Sequence, residues 1–244
     1  MKAFIIQART GSTRMPNKTV IPLYNGQGML SLMIGFFKTH FPEVPVIVAT
    51  TSSDGDDEIQ EICEVQDVRC HRGSESNVLK RIADAAKMYG VDDVTRVCAD
   101  NPFLQKKFIS ELITGETGTD YYSYAVNGKP TILTHYGFFV ERVKRSALEK
   151  ALSQTSDPFY LEHVTNYIYQ HPEKFEVELL EVGDELNKLK ESRFTVDDES
   201  DFLRAKKILS TFGRSPDLND LAEYLSAHPE EQDNMKKTIE KYQK

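Results

Sequence analysis

Ala3-Phe4-Ile5-Ile6-Gln7-Ala8, running straight into Arg9-Thr10-Gly11-Ser12-Thr13-Arg14-Met15-Pro16-Asn17-Lys18, decides how the rest of this chain reads. A short apolar run closed by a polar loop has the pattern of a buried strand in a parallel sheet. The loop then lies at the carboxyl end of that strand, where open α/β sheets bind their ligands. Gly11 lets the backbone come close to a phosphate, and its neighbouring N–H groups can form an anion nest. Arg9, Arg14 and Lys18 supply three cations for a polyphosphate. No Gly-x-x-x-x-Gly-Lys-Ser/Thr is present, so this is not a Walker loop. The competing reading is a solvated basic turn; the loop's place after a buried strand favours phosphate binding.

Outward from this point, short apolar runs alternate with helical patterns, which predicts an α/β fold with a mostly parallel sheet flanked by helices. Helices are expected over 29–39 and 56–64, and strands over 44–50 and 68–71. Val78, Ile82, Ala85 and Tyr89 share one helical face, with Ser74 or Ser76 as the cap and Gly90 as the stop. A strand over 94–99 should end at Asp100-Asn101-Pro102. Further strands are expected over 121–126, 138–143 and 175–182, and helices over 146–152 and 161–169. A last strand, 193–196, should end at Asp197-Asp198. A helix over 202–212 follows, and Pro216 is placed in the first turn of the next. The charged tail after Pro229 reads as a loosely packed helix or a frayed end. The chain divides into residues 1–213, carrying the chemistry, and a helical appendage, 214–244.

The chain has 244 residues, enough for a core without disulfide or metal staples. With 30 Lys+Arg against 38 Asp+Glu the net charge is -8, which argues against binding nucleic acid or an anionic membrane non-specifically. No run approaches the ~18 apolar residues of a spanning helix, and the first apolar run is too short for a signal peptide. Cys63, Cys70 and Cys98 form no C-x-x-C pair. A reducing cytoplasm is expected.

Asp100 and Asp197 each close a predicted strand and can emerge on the rim that carries the basic loop. Two carboxylates beside a triphosphate are suited to Mg²⁺. A strand-end aspartate alone is more often a cap; the pair, with the loop, carries the metal reading.

Four stretches, in order, resemble the acylneuraminate and Kdo cytidylyltransferases, and within them the branch of the spore coat polysaccharide biosynthesis protein F. They are the 7–18 loop, Arg72-Gly73-Ser74-Glu75-Ser76-Asn77-Val78-Leu79, Cys98-Ala99-Asp100-Asn101-Pro102-Phe103, and Phe194-Thr195-Val196-Asp197-Asp198-Glu199-Ser200-Asp201-Phe202. The resemblance covers roughly 1–229. It implies a Rossmann-like GT-A nucleotidyltransferase fold that couples CTP to an acidic sugar or related acid and releases pyrophosphate. By the same resemblance Arg9 and Lys18 are catalytic, and Ala8, Arg9, Gly11, Ser12, Arg14, Lys18, Gly73, Ser74 and Asn77 bind the nucleotide. Asp100 and Asp197 hold Mg²⁺, and Tyr136, Phe139 and Glu141 belong to an acceptor pocket within 131–143. Relatives pair through the region after the sheet core, so a homodimer is expected.

The sequence departs from that family at four places. Pro16-Asn17-Lys18 replaces the usual Pro-Gly-Lys, a turn that asparagine tolerates. Phe139 stands where the branch has an aspartate, and Asn101 and Phe103 replace commoner residues beside Asp100. The alternatives are a GT-A-type glycosyltransferase, which needs less cationic coverage for its donor, and a non-catalytic nucleotide-binding protein, which Phe139 keeps open. His163 and Cys98 read as structural.

Overall fold

The computed structural model describes residues 1–115 and 118–242. Eight strands form one sheet: β1 (Lys2–Gln7), β2 (Val46–Thr51), β3 (Arg69–Gly73), β4 (Asp93–Cys98), β5 (Tyr121–Val126), β6 (Lys129–Pro130), β7 (Glu141–Lys144) and β8 (Val177–Glu181). Their order is β3-β2-β1-β4-β7-β5-β6, with β8 paired to β5. β1, β2, β3 and β4 are parallel neighbours, β8 is parallel to β5, and β7 runs against both β4 and β5. The expected mostly parallel α/β sheet is what forms.

Alternation along the strands divides the core between the two faces of the sheet. Phe4, Ile6, Val46, Val48 and Val97 pack on one side, with α1 (Met29–His40), α2 (Asp57–Val65) and, further along the chain, α4 (Lys106–Thr114). Ala3, Ile5, Ile47, Ala49 and Val94 face the other, against α3 (Val78–Met88) and α5 (Arg145–Gln154). α6 (Pro158–Glu162) and α7 (Asn166–Tyr169) follow α5, and α8 (Glu199–Phe212), α9 (Leu218–Ala227) and α10 (Pro229–Lys241) close the chain. Met235 of α10 is fully buried and joins Leu221, Ala222 and Leu225 in the first of the two packed clusters. The tail after Pro229 is therefore an anchored helix along its described length rather than a frayed end.

Several local expectations change. Residues 193–196 are extended but join no strand: the Phe194 N–H donates to the His135 carbonyl and the Val196 N–H to the Asp100 carbonyl. All four residues are buried, and their backbone partners are loops beyond the ends of the strands. The expected 161–169 helix breaks in two because Val164 takes a left-handed backbone, φ 48°. Asn77, not Ser74 or Ser76, caps α3, its Oδ1 accepting from Lys80 N at 2.8 Å. Pro216 lies just outside α9, whose cap is Asp217 in a capping box with Asp220. The strand expected over 138–143 is confined to β7. α4 fills a stretch to which no element is assigned from the sequence.

Candidate active site

The register places β1 and β4 side by side, Ile6 opposite Val97 and Gln7 opposite Cys98. The strand order turns outward in both directions from this pair, so the crevice beyond their carboxyl ends is the sheet's topological switch point. The loop after β1 and Ala99-Asp100-Asn101 after β4 emerge there together.

Asp56, nearly fully buried, fixes the first of these loops. Its Oδ1 accepts from Thr10 N and Thr10 Oγ1, both at 2.7 Å. Its Oδ2 accepts from Thr50 Oγ1, Thr51 N and Thr51 Oγ1. Burial pushes this carboxyl upward in pKa, and the bonds from Thr51, Thr10 and Thr50 outweigh that and hold it below its usual value. Asn17 takes φ 61°, and its N–H donates to the Thr10 carbonyl at 2.9 Å. The turn thus accommodates asparagine where the resemblance implied glycine.

Lys18 is 9% exposed, and its ammonium donates to the Val196 carbonyl at 2.6 Å. The same nitrogen lies 3.7 Å from Asp100 Oδ2 and 3.6 Å from Asp197 Oδ1. The two carboxylates therefore converge on one cation. Arg14 donates to Asp197 Oδ1 at 2.7 Å, and its guanidinium lies over the Tyr242 ring, 4.9 Å from the centroid. Arg9 Nη2 is 3.7 Å from Glu162 Oε1 and more than a third exposed.

A cleft of about 680 Å³ opens over these groups. Ala8, Arg9, Ser12, Arg14, Lys18, Asp100 and Asp197 all line it. Gly11 does not line it and is exposed. Gly73, Ser74 and Asn77 lie outside the lining as well; Ser74 Oγ accepts from Asn77 N at 3.0 Å, so both side chains are engaged in starting α3. The same helix instead presents Val78 and Arg81 to the cleft.

Arg81 is a site residue that sequence reasoning misses. Its side chain is buried, its Nη1 donates to the Ser74 carbonyl at 2.6 Å, and its Nε has no partner in the protein. Burial, then the nearby Arg9 charge, lowers this guanidinium to about 10. The helical position of a lone arginine gives no sign of such burial.

A smaller cavity of about 60 Å³ adjoins the cleft and shares Arg96, Cys98, Asp100 and Ile132 with it. Phe139 and Glu141 line it; Tyr136 lines neither space. The Glu141 carboxylate pairs with Arg96 and accepts from Tyr121 Oη at 2.6 Å and Thr165 Oγ1 at 2.7 Å. Phe139 packs its ring 4.6 Å from Phe108 and 5.4 Å from Tyr124. With Phe138 and Val140 it is covered by the chain's own core.

Fixed cations and carboxylates at a switch-point crevice are what nucleotidyl transfer requires, and the chain is a nucleotidyltransferase. Residues 3–236 match the cytidylyltransferase family, to which the chain belongs. It is 33% identical over 229 residues to an uncharacterised protein of Methanocaldococcus jannaschii, spanning 93% of this chain and 90% of that one. It is 29% identical over 235 residues to the spore coat polysaccharide biosynthesis protein SpsF of Bacillus subtilis, spanning 93% and 95%. Among solved structures, a cytidylyltransferase from Leptospira borgpetersenii superposes with a TM-score of 0.81 at 26% identity, covering 96% of this chain and 97% of that one.

Proposed function

We propose that this cytidylyltransferase moves CMP from CTP to an acidic sugar or related acid, using Mg²⁺, in surface polysaccharide biosynthesis. The observation that carries the reading is Lys18 held between Asp100 and Asp197, with Arg14 on the same carboxylate. An acceptor oxygen attacks the α-phosphorus, the bond to the β-phosphate oxygen breaks, pyrophosphate leaves and the acceptor loses its proton to solvent. Lys18 and Arg9 balance the charge that builds on the phosphate oxygens, and Arg14 orients the leaving diphosphate. Of the loop residues the resemblance implies, Ala8 and Ser12 line the cleft that takes the triphosphate, while Gly11 stays outside it. Val78 and Arg81, which α3 presents to the cleft, are the residues of this region that meet the nucleotide.

The donor set suits a hard divalent ion. Two carboxylates already converge on a cation, and hard ions of this kind accept phosphate oxygens and water in their remaining positions. Among the described residues there is no cluster of three or more His, Cys, Asp or Glu that would hold a metal alone. The ion would therefore sit between Asp100, Asp197 and the nucleotide. When bound it supplies charge neutralisation at the reacting phosphate.

In this reading residues 1–213 carry the transfer chemistry and the helices of 214–244 brace it. The enzyme acts in the cytoplasm as a homodimer, an assembly that rests on the resemblance alone; a monomer mass by light scattering at micromolar concentration overturns it. Among the described residues no helix is long and apolar enough to cross a membrane. The test of function is pyrophosphate release with each of four nucleoside triphosphates against a panel of acidic sugars and phosphonates. Release with CTP and an acidic sugar is expected; no pyrophosphate with any of the four, together with nucleotide released from a nucleotide-sugar donor, would overturn it.

A further inference from the structure

The 60 Å³ cavity beside the cleft contains two polar atoms that the protein does not satisfy. Asn101 Oδ1 and Thr131 Oγ1 both belong to its lining, and neither has a hydrogen-bond partner. The two residues are 7% and 5% exposed. Buried polar side chains are nearly always paired, and leaving two unpaired at one small cavity is costly. The space is large enough for a few small groups, since one water needs about 10–15 Å³ by this measure.

Gly137 preserves the space. Its φ of 70° favours glycine, and an added Cβ would stand 3.3 Å from Asn101 Oδ1 and 3.2 Å from the Phe194 carbonyl carbon. The charged lining of the cavity is net negative: Arg96 donates to Glu141 and to Gln7 Oε1, and Asp100 adds a second carboxylate. An anionic group would meet two carboxylates and one engaged cation. A neutral group with an O–H or N–H would find two acceptors and the apolar ring of Phe139.

We propose that the Asn101–Thr131 cavity is a specificity subsite that takes a neutral hydrogen-bond-donating group of the acceptor, a hydroxyl or an amide N–H, and not its carboxylate. The acid then lies in the larger cleft, where Arg9 and Arg81 are. The proposal rests on the cytidylyl-transfer reading and deepens it by naming which part of the acceptor is recognised where.

The test uses the full chain with Asn101→Leu and Thr131→Val, close in size and unable to accept a hydrogen bond. CTP binding is measured by titration calorimetry, and transfer by pyrophosphate release with two probes. The probes are Kdo, whose neutral donors are hydroxyls alone, and N-acetylneuraminate, which adds an amide. Each variant should raise the KM of the used probe on the order of tenfold and leave the CTP Kd within about twofold. Use of Kdo shows that a hydroxyl suffices, and use of N-acetylneuraminate without Kdo points to the amide. Because neither side-chain oxygen bonds the protein, the ligand-free melting temperature should not fall by more than about 2 °C. An unchanged probe KM, or a clear fall in melting temperature in both variants, overturns the subsite. Absent release by the wild type with both probes would instead be a failure of the transfer reading. In that case the melting arm alone still decides whether the two oxygens serve the fold.

Discussion

Arg193 stands behind Asp197 as its buried counter-charge: Arg193 Nη2 donates to Asp197 Oδ2 at 2.6 Å from a fully buried side chain. The other carboxylate oxygen is thereby turned toward Arg14 and Lys18. Arg193 also binds Asp201, Asp201 binds Arg204, and Arg204 binds Glu231 of α10. Burial works against the Arg193 charge, and Asp201 and Asp197 outweigh it, so its pKa lies above the usual arginine value. Replacing Arg193 by leucine removes the buried cation that two carboxylates share, leaving Asp201 to Arg204 and Asp197 to Arg14 and Lys18. The expected loss is about 3–5 kcal/mol of unfolding free energy. Urea denaturation measures it, and a loss within about 0.5 kcal/mol would mean that solvent reaches the pair.

Lys18→Met keeps the length of the side chain and removes its charge. Turnover should fall by a factor of about 30–1000, corresponding to about 2–4 kcal/mol at the transition state, with a smaller change in CTP affinity. Steady-state kinetics at saturating CTP separates the two. Wild-type turnover in this variant would reduce the loop to a surface turn.

Asp56→Asn replaces an acceptor of five bonds by a group whose N–H₂ must face donors. A loss of about 1–3 kcal/mol is expected, with weaker nucleotide binding because Thr10 is released. In the wild type the carboxyl is lower in pKa when folded than when unfolded. Its contribution is therefore complete above the unfolded value and is lost as pH falls through the folded one. Unfolding curves across the acid range should show this decline in the wild type, and the variant, with no carboxyl to titrate there, should show a flatter one. Equal slopes in both proteins would remove Asp56 from the loop's support.

Phe139→Asp places a carboxylate against Phe108 and Tyr124. The structure predicts a folding defect, not a clean change of acceptor preference, because an unpaired buried charge costs several kcal/mol. A melting scan decides: a normal melting temperature with altered acceptor ranking would mean that the ring does not carry core packing.

The first strand and its loop are legible in the sequence because a buried β1 has a short continuous apolar pattern and its loop is dense in cations. α3 is legible from its one apolar face, but its cap is not: Asn77 lies three residues after Ser74, which instead holds the Asn77 N–H. α4 carries an apolar face, Phe108, Ile109 and Leu112, so its spacing is present in the sequence although unread. Asp56 and Arg193 cannot be found in the same way. Asp56 meets Thr10 across 46 positions, and Arg193 meets Glu231 only through two intermediaries. Local spacing holds no trace of such partnerships. For the same reason 193–196 imitates a strand: a short buried run reports burial and not where the backbone bonds go.

Tyr242→Ala removes the ring beneath Arg14 and should weaken CTP binding a few-fold, in keeping with the roughly 0.5–1 kcal/mol of an exposed cation–π contact. Tyr242→Phe keeps the ring and should restore it. Calorimetry with CTP is the measurement, and equal weakening by both variants would assign the effect to the hydroxyl.

That ring gives the chain a clock. Arg14 is made long before Tyr242, yet in the finished protein the guanidinium lies 4.9 Å from the centre of the ring. Met235 Sδ accepts from the Arg193 N–H, and Glu231 closes the ionic chain behind Asp197. A ribosome-bound chain still missing α10 has the phosphate loop but lacks these supports. The contacts that brace Arg14 and the ion-pair chain behind Asp197 are therefore complete only once α10 has left the ribosome and docked.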